Sequence, residues 1–293
     1  MFRVARGQRR RRGVGQGCVQ RAKGKLCSMI LPSASPLSWL LGLAAATAYA
    51  VPALAASRLP VHGARTALWA AWVLHASVLA WGMLGALPRF GFAPALSVTA
   101  WLVLTVYAVE RQLFPQLQAR WALAALGAVA VLLALVFPGQ PLHITASAWL
   151  PLHLALGVAS YGLLAAAVVH AVLMVRAERR IRLAVDTHSG MPLLTLERLT
   201  FRFIKAGFVL LTATLLAGML FTDVLYGRAW RWDHKAVFSV LSWLTLAALL
   251  LGRSRFGWRG RSAVRMLYAG TALLLLAYVG SRFVLEVVLE RGA

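Results

Sequence analysis

Eight long apolar runs constrain this chain more than any motif in it. They cover about 37–56, 66–87, 92–109, 121–138, 148–175, 203–223, 236–252 and 266–286. A helix needs ~20 mostly apolar residues to cross the hydrocarbon of a bilayer. Lipid offers no water to satisfy backbone N–H and C=O groups, so only helices or closed barrels span it. Barrel strands are ~10 residues long and alternate strictly, and these runs are too long and too continuous for that. Hydrophobic residues make up 60% of the chain and charged residues 13%, about half the charged share of an ordinary soluble domain. The expected fold is all-α: a polytopic transmembrane helix bundle of about eight spans.

The net charge of +23 invites a nucleic-acid reading, which the distribution of the cations defeats. Alternate connections hold Arg58 and Arg65; Arg111 and Arg120; Arg176, Arg179, Arg180, Arg182, Arg198, Arg202 and Lys205; and Arg253, Arg255, Arg259, Arg261 and Arg265, sixteen in all. The opposite side has six: Arg89, Arg228, Arg231, Lys235, Arg282 and Arg291. Cytoplasmic loops carry the excess of Lys and Arg, so the first set is expected inside and both ends of an eight-span core outside. Residues 1–28 break the pattern, with nine Lys/Arg and no acid. They are read as a basic tail preceding a membrane domain over 29–293, with Met29 favoured over Met1 as the start. The two cysteines, Cys18 and Cys27, both lie in that tail. Iron–sulfur and CxxC redox chemistry in the spans is excluded on ligand count. The connection 177–201 mixes charges with spaced Ile, Leu and Val, and is expected to form an interfacial helix and a turn at 189–192.

Chemistry concentrates in one short stretch, Tyr226-Gly227-Arg228-Ala229-Trp230-Arg231-Trp232-Asp233-His234-Lys235. It is aromatic and basic, and it lies between two spans on the side poor in cations. Trp230 and Trp232 offer flat faces for stacking, although Trp is also enriched in the interfacial belt of any membrane protein. Arg228, Arg231 and Lys235 suit carboxylates through charge-assisted bonds. Asp233 is expected either to pair with Lys235 or to cap the helix that follows. Together these residues suit a flat, apolar, dianionic ligand, and porphyrin is the candidate. Of seven histidines, His143, His153 and His234 fall on the same side as this loop, while His62 and His188 fall in the cationic loops. His75 and His170 are intramembrane, where ionisable residues are rare and usually functional; a packing role is the competing reading for both. His153 and His170 share a helix but stand ~25 Å apart at 1.5 Å per residue. They cannot share one iron; His153 could pair with His234 or His143 at the outer surface, and His75 and His170 could serve a second, buried site.

These residues resemble the cytochrome c assembly family of haem-handling membrane proteins, whose hallmark is a tryptophan-rich outer loop flanked by histidines. Gly227, Trp230, Trp232, Asp233 and Lys235 match the family loop in spacing, as do Trp243 in the next span and the pair His153 and Tyr161. Weaker likeness lies in Pro94-Ala95-Leu96-Ser97 and Tyr278-Val279-Gly280, and the likeness covers roughly residues 66–290. His75 stands on an early span where the family can carry a buried histidine. The departures are Tyr226 for the leading Trp, His234 for Pro and Ala236 for Glu, with Leu289 and Leu251 where two histidines would stand. Gly257-Trp258-Arg259-Gly260 resembles a shorter branch of the family.

The resemblance implies an inner-membrane protein with haem as cofactor, assembly proteins and apocytochrome c as partners, lipid around it and no nucleic acid. The implied cofactor-binding residues are His153, His234, Trp230, Trp232, Asp233, Arg228, Arg231, Lys235, Tyr161 and His75, with His153 and His234 toward iron. No catalytic residue is expected, so the chain is read as a haem handler rather than an enzyme. The missing histidines keep a second reading open, a membrane scaffold or small-molecule transporter on the same fold without haem. A proton or metal transporter is disfavoured, because spans 1, 3, 4 and 7 hold no acidic residue in their interiors and Asp223 and Glu286 sit only at span ends, whereas ion pathways usually need such groups.

Overall fold

The structure is a computed structural model and describes residues 36–54, 61–84, 89–113, 120–141, 149–183, 192–222 and 232–289. Its helices are α1 (Pro36–Leu54), α2 (Val61–Leu84), α3 (Phe92–Leu113), α4 (Arg120–Val136), α5 (Trp149–Arg182), α6 (Leu193–Leu220), α7 (His234–Phe256) and α8, which begins as Gly260–Leu275. The last helix continues through two wide π-type turns, Leu276–Gly280 and Val284–Val288, separated by Ser281–Phe283. Seven of the helices are long and apolar enough to cross a membrane; α4, at 17 residues, is the short one. The chain is a multi-pass membrane protein with an all-α bundle. A pair of two-residue strands, β1 (Arg89–Phe90) and β2 (Gln140–Pro141), joins the ends of α2 and α4 antiparallel. Gly139 permits that pairing: its φ is +78°, and a Cβ there would lie 2.7 Å from the backbone of Phe90 and Gly91.

Two expectations change at the basic connection after α5. The helix runs straight on to Arg182, and α6 begins at Leu193, ten residues before the apolar run suggests. Among the described residues no separate interfacial helix lies between them. Apolar run length marks the lipid-facing segment, whereas helical hydrogen bonding continues into the headgroup zone where Arg and Glu are solvated. The turn expected at 189–192 falls outside the described residues except for Pro192, which sits at the N-cap of α6.

The helices pack as two groups, α1–α4 and α5–α8, with α3 against α5 joining them. Aromatic N–H groups pin neighbours together. Trp72 stacks on Trp101 at 5.0 Å and donates to Thr105 Oγ1 at 2.8 Å, tying α2 to α3. Trp243 donates to Thr212 Oγ1 at 2.8 Å and stacks on Phe208, tying α7 to α6. Ser242 Oγ donates to the carbonyl of Gly270 at 2.8 Å, tying α7 to α8. Small residues let backbones approach, which drives helix association where lipid is as apolar as the side chains. At Gly162 a Cβ would lie 2.7 Å from Leu102 Cδ1 and 2.8 Å from its Cβ, so α5 meets α3 there without room for a methyl group. Gly162→Ala is expected to cost about 1–3 kcal/mol by overpacking, read as a lower midpoint in detergent unfolding beside Gly157→Ala. A Cβ at position 157 meets only Thr214 Cγ2, at 3.6 Å.

Candidate functional site

At the end of the bundle where α5, α6 and α7 meet, a cavity of about 200 Å³ opens. His153 and Tyr161 of α5 line it with Lys235 from the first turn of α7 and Tyr278 from the first wide turn of α8. Its polar lining is completed by Thr99, Ser160, Thr214 and Ser239, and its walls are Leu154, Val158, Leu211, Leu215, Leu274 and Ala277. His153 is half-buried, on the first turns of α5, and a Cβ on Gly218 would come within 3.4 Å of its Cε1. Gly218 thus leaves the imidazole space against α6.

The other expected residues divide. Asp233 caps α7: its backbone is extended and its Oδ1 accepts from the N–H of Ala236 at 3.0 Å. Of its two anticipated structural roles, the cap is therefore formed. The cap fixes where α7 starts and so presents Lys235 to the cavity. Asp233→Ala is expected to cost about 1 kcal/mol, with Asp233→Asn nearly unchanged, measured as a shift in unfolding midpoint. His234 and Trp232 are exposed, Trp232 by 66%, and His234 is not among the lining residues. Arg228, Trp230 and Arg231 lie outside the described residues, as does His143. The Tyr161 hydroxyl donates to the carbonyl of Leu274, just before the first wide turn. Such turns occur frequently at functional sites, and this bond ties α5 to α8 beside the cavity.

His75 is fully buried, and both ring nitrogens are engaged: Nδ1 with the Tyr49 hydroxyl at 3.3 Å and Nε2 with Ser97 Oγ at 2.8 Å. It bridges α1, α2 and α3. Ligation of iron by His75 requires one of those bonds to break. His170 is also buried. Its Nδ1 meets the carbonyl of Ala166 at 2.8 Å, and its Nε2 approaches Glu110 Oε2 to 2.7 Å. Glu110, near the C-terminal end of α3, is only 5% exposed. The apolar run stops one residue short of Glu110, but the helix carries it on against α5, and the signal for it was the facing intramembrane histidine.

Two further groups near the cavity escape a sequence reading. Arg282 lies over the Tyr278 ring at 5.9 Å and 3.9 Å from Glu286 Oε1. Tyr278, Arg282 and Glu286 follow at intervals of four, so they share one face of α8. Thr99 and Thr214 bond back to the carbonyls of Ala95 and Leu210, each at 2.8 Å. The sequence signal for these two was a hydroxyl in the middle of an apolar run.

The sequence profile of the cytochrome C assembly protein family matches residues 64–289. The chain belongs to that family. It is 33% identical over 149 residues to inner membrane protein YpjD of Escherichia coli K12, covering 50% of this chain and 56% of YpjD. It is 37% identical over 144 residues to an uncharacterized 28.8 kDa protein of Azospirillum brasilense, covering 48% of this chain and 53% of the relative. It is 38% identical over 88 residues to cytochrome c biogenesis protein CcsA of Prochlorococcus marinus subsp. pastoris, covering 30% of this chain and 28% of CcsA. The chain thus spans about half the length of the first two relatives.

Proposed function

We propose that this chain is a haem-handling inner-membrane protein of cytochrome c biogenesis, with haem held at the His153 end of the bundle and that end facing outward. The observation that carries the reading is the convergence of His153 and Lys235, from separate helices, on one largely apolar cavity. An imidazole toward iron, an ammonium toward a propionate and aliphatic walls toward the ring edge are the donor set a haem needs. Membership of the cytochrome c assembly family and the names of YpjD and CcsA support the same reading.

The cavity volume of about 200 Å³ is below the ~300–1,000 Å³ of pockets that enclose a drug-sized ligand. The residues therefore fit one edge of a macrocycle rather than a whole one. His234, next in sequence to Lys235, is the candidate second ligand. Bound haem would supply the redox-active iron; His153 would orient it, Lys235 would fix a propionate, and Leu211 and Leu215 would exclude water. No group in this scheme makes or breaks a covalent bond, so the protein acts as a carrier or presenter rather than an enzyme. Partners are then the assembly proteins and the apocytochrome that receives the haem.

The test is the visible spectrum of detergent-purified protein before and after hemin is added. A low-spin spectrum on reduction, at close to one haem per chain, is expected. A chain that carries no haem and takes up none overturns the reading. The leucines at 251 and 289 would then mark a scaffold that has lost its ligands.

A further inference from the structure

At the opposite end of the bundle, a second cavity of about 390 Å³ lies between α6 and the turn from α7 to α8. Arg198, Arg202, Lys205, Arg253 and Arg259 line it, and Glu197 is the one acid among its described lining residues. We propose that this cavity binds the phosphate of an anionic membrane lipid.

The cations are arranged rather than scattered. Arg198, Arg202 and Lys205 follow at intervals of four and three, so they share a face of α6. Arg253 is fixed by three contacts: Glu197 Oε1 at 2.5 Å, the carbonyl of Trp258 at 3.2 Å, and the face of Phe201 at 4.4 Å. Glu197 also reaches Arg259 Nε at 3.7 Å. One carboxyl thus organises two guanidinium groups and leaves an excess of cations for an external anion. The Gly257-Trp258-Arg259-Gly260 turn makes this possible. Gly257 and Gly260 have φ of +64° and +61°. Gly252 leaves the seat that the Trp258 ring fills, since a Cβ there would lie 2.3 Å from Trp258 Cε3. With the ring anchored, the turn carries Arg259 back toward Glu197.

Position selects a lipid over a soluble anion. The cavity lies at the ends of membrane-spanning helices, where headgroups lie, and basic pockets between spanning helices bind acidic headgroups. Leu194, 72% exposed, lies on its rim and offers acyl chains an apolar surface that a free phosphate ion has no use for.

The full chain is delipidated in detergent and titrated with phosphatidylglycerol, with bound lipid read by native mass spectrometry. Wild type is expected to retain phosphatidylglycerol. Arg198→Gln with Arg202→Gln is expected to weaken retention about tenfold or more. Glu197 pairs with Arg253 and Arg259, both unchanged in this variant, so the turn should stay intact. Arg176→Gln with Arg179→Gln, at the same end but outside the cavity, is expected to match wild type. Equal retention by the cavity variant and wild type overturns the proposal. So does displacement of the lipid by millimolar inorganic phosphate, which would assign the site to a soluble anion. Equal retention of zwitterionic phosphatidylcholine also overturns it, because a site made by excess cations must prefer the net-anionic headgroup. None of these readouts involves haem, so the haem reading and this one fail separately.

Discussion

His153→Ala is expected to abolish stable haem binding while leaving the bundle folded. Loss of a residue that merely supports a metal-ligating histidine costs ~10–100-fold in metal affinity, and loss of the ligand itself should cost about 100-fold or more. The fold should survive because His153 is half-buried near the start of α5, with an open cavity on one side. Its loss enlarges that cavity rather than breaking a packed interior. The measurement is a hemin titration of wild type, His153→Ala and His234→Ala, read in the Soret band, with far-UV circular dichroism as the folding control. Loss in His153→Ala alone names one ligand and leaves His234 outside the iron's coordination. Loss in both names the pair. Retention in His153→Ala at wild-type affinity would sink the assignment of this cavity. Lys235→Gln is expected to weaken binding modestly, because it removes one charge-assisted bond and no ligand.

Glu110→Ala is expected to be among the most destabilising single changes in the chain. Glu110 and His170 meet at 2.7 Å, with side chains only 7% and 4% exposed, where α3 joins the two helix groups. Removing one member of a buried pair leaves the other without compensation and costs about 3 kcal/mol or more. Neither carboxylate oxygen of Glu110 has an aligned hydrogen-bond partner among the described residues, so the close approach of His170 Nε2 to Oε2 is the compensation this group has there. Replacing both with apolar residues of similar size should recover most of the loss, since buried pairs are often matched or exceeded by hydrophobic packing. Unfolding midpoints in mixed micelles for Glu110→Ala, His170→Ala and Glu110→Leu with His170→Leu give the test. A double variant as unstable as the sum of the singles would mean that the two side chains are not coupled. His170 and His153 stand seventeen residues apart on α5, ~25 Å at 1.5 Å per residue, so His153→Ala should leave these midpoints nearly unchanged.

The membrane class, the helical fold and the run of spans were legible in the residues themselves. Run length and the need to satisfy backbone groups inside lipid admit few other solutions. His153 and Lys235 were legible as candidates because their side chains are chemically unusual beside apolar spans, and Tyr161 only through the resemblance to the cytochrome c assembly family. Which of them meet was not legible. Helix capping by Asp233 turns Lys235 into the cavity and leaves His234 exposed, although the two are adjacent in sequence. His75 read as a candidate ligand because it is a histidine in a membrane; its neighbours Tyr49 and Ser97, 26 and 22 residues away in sequence, occupy both nitrogens. Glu110 lay one residue beyond an apolar run, and only the packing of α3 on α5 brings it to His170. The basic residues of α6 read as topology signals, and the fold gathers them with Arg253 and Arg259 around one carboxyl. Sequence determined what lipid and backbone hydrogen bonding demand, because those forces act on each helix alone. Tertiary structure decided which side chains share a site, because that depends on the rotation of each helix about its axis, set by glycine contacts and indole hydrogen bonds between helices distant in the chain.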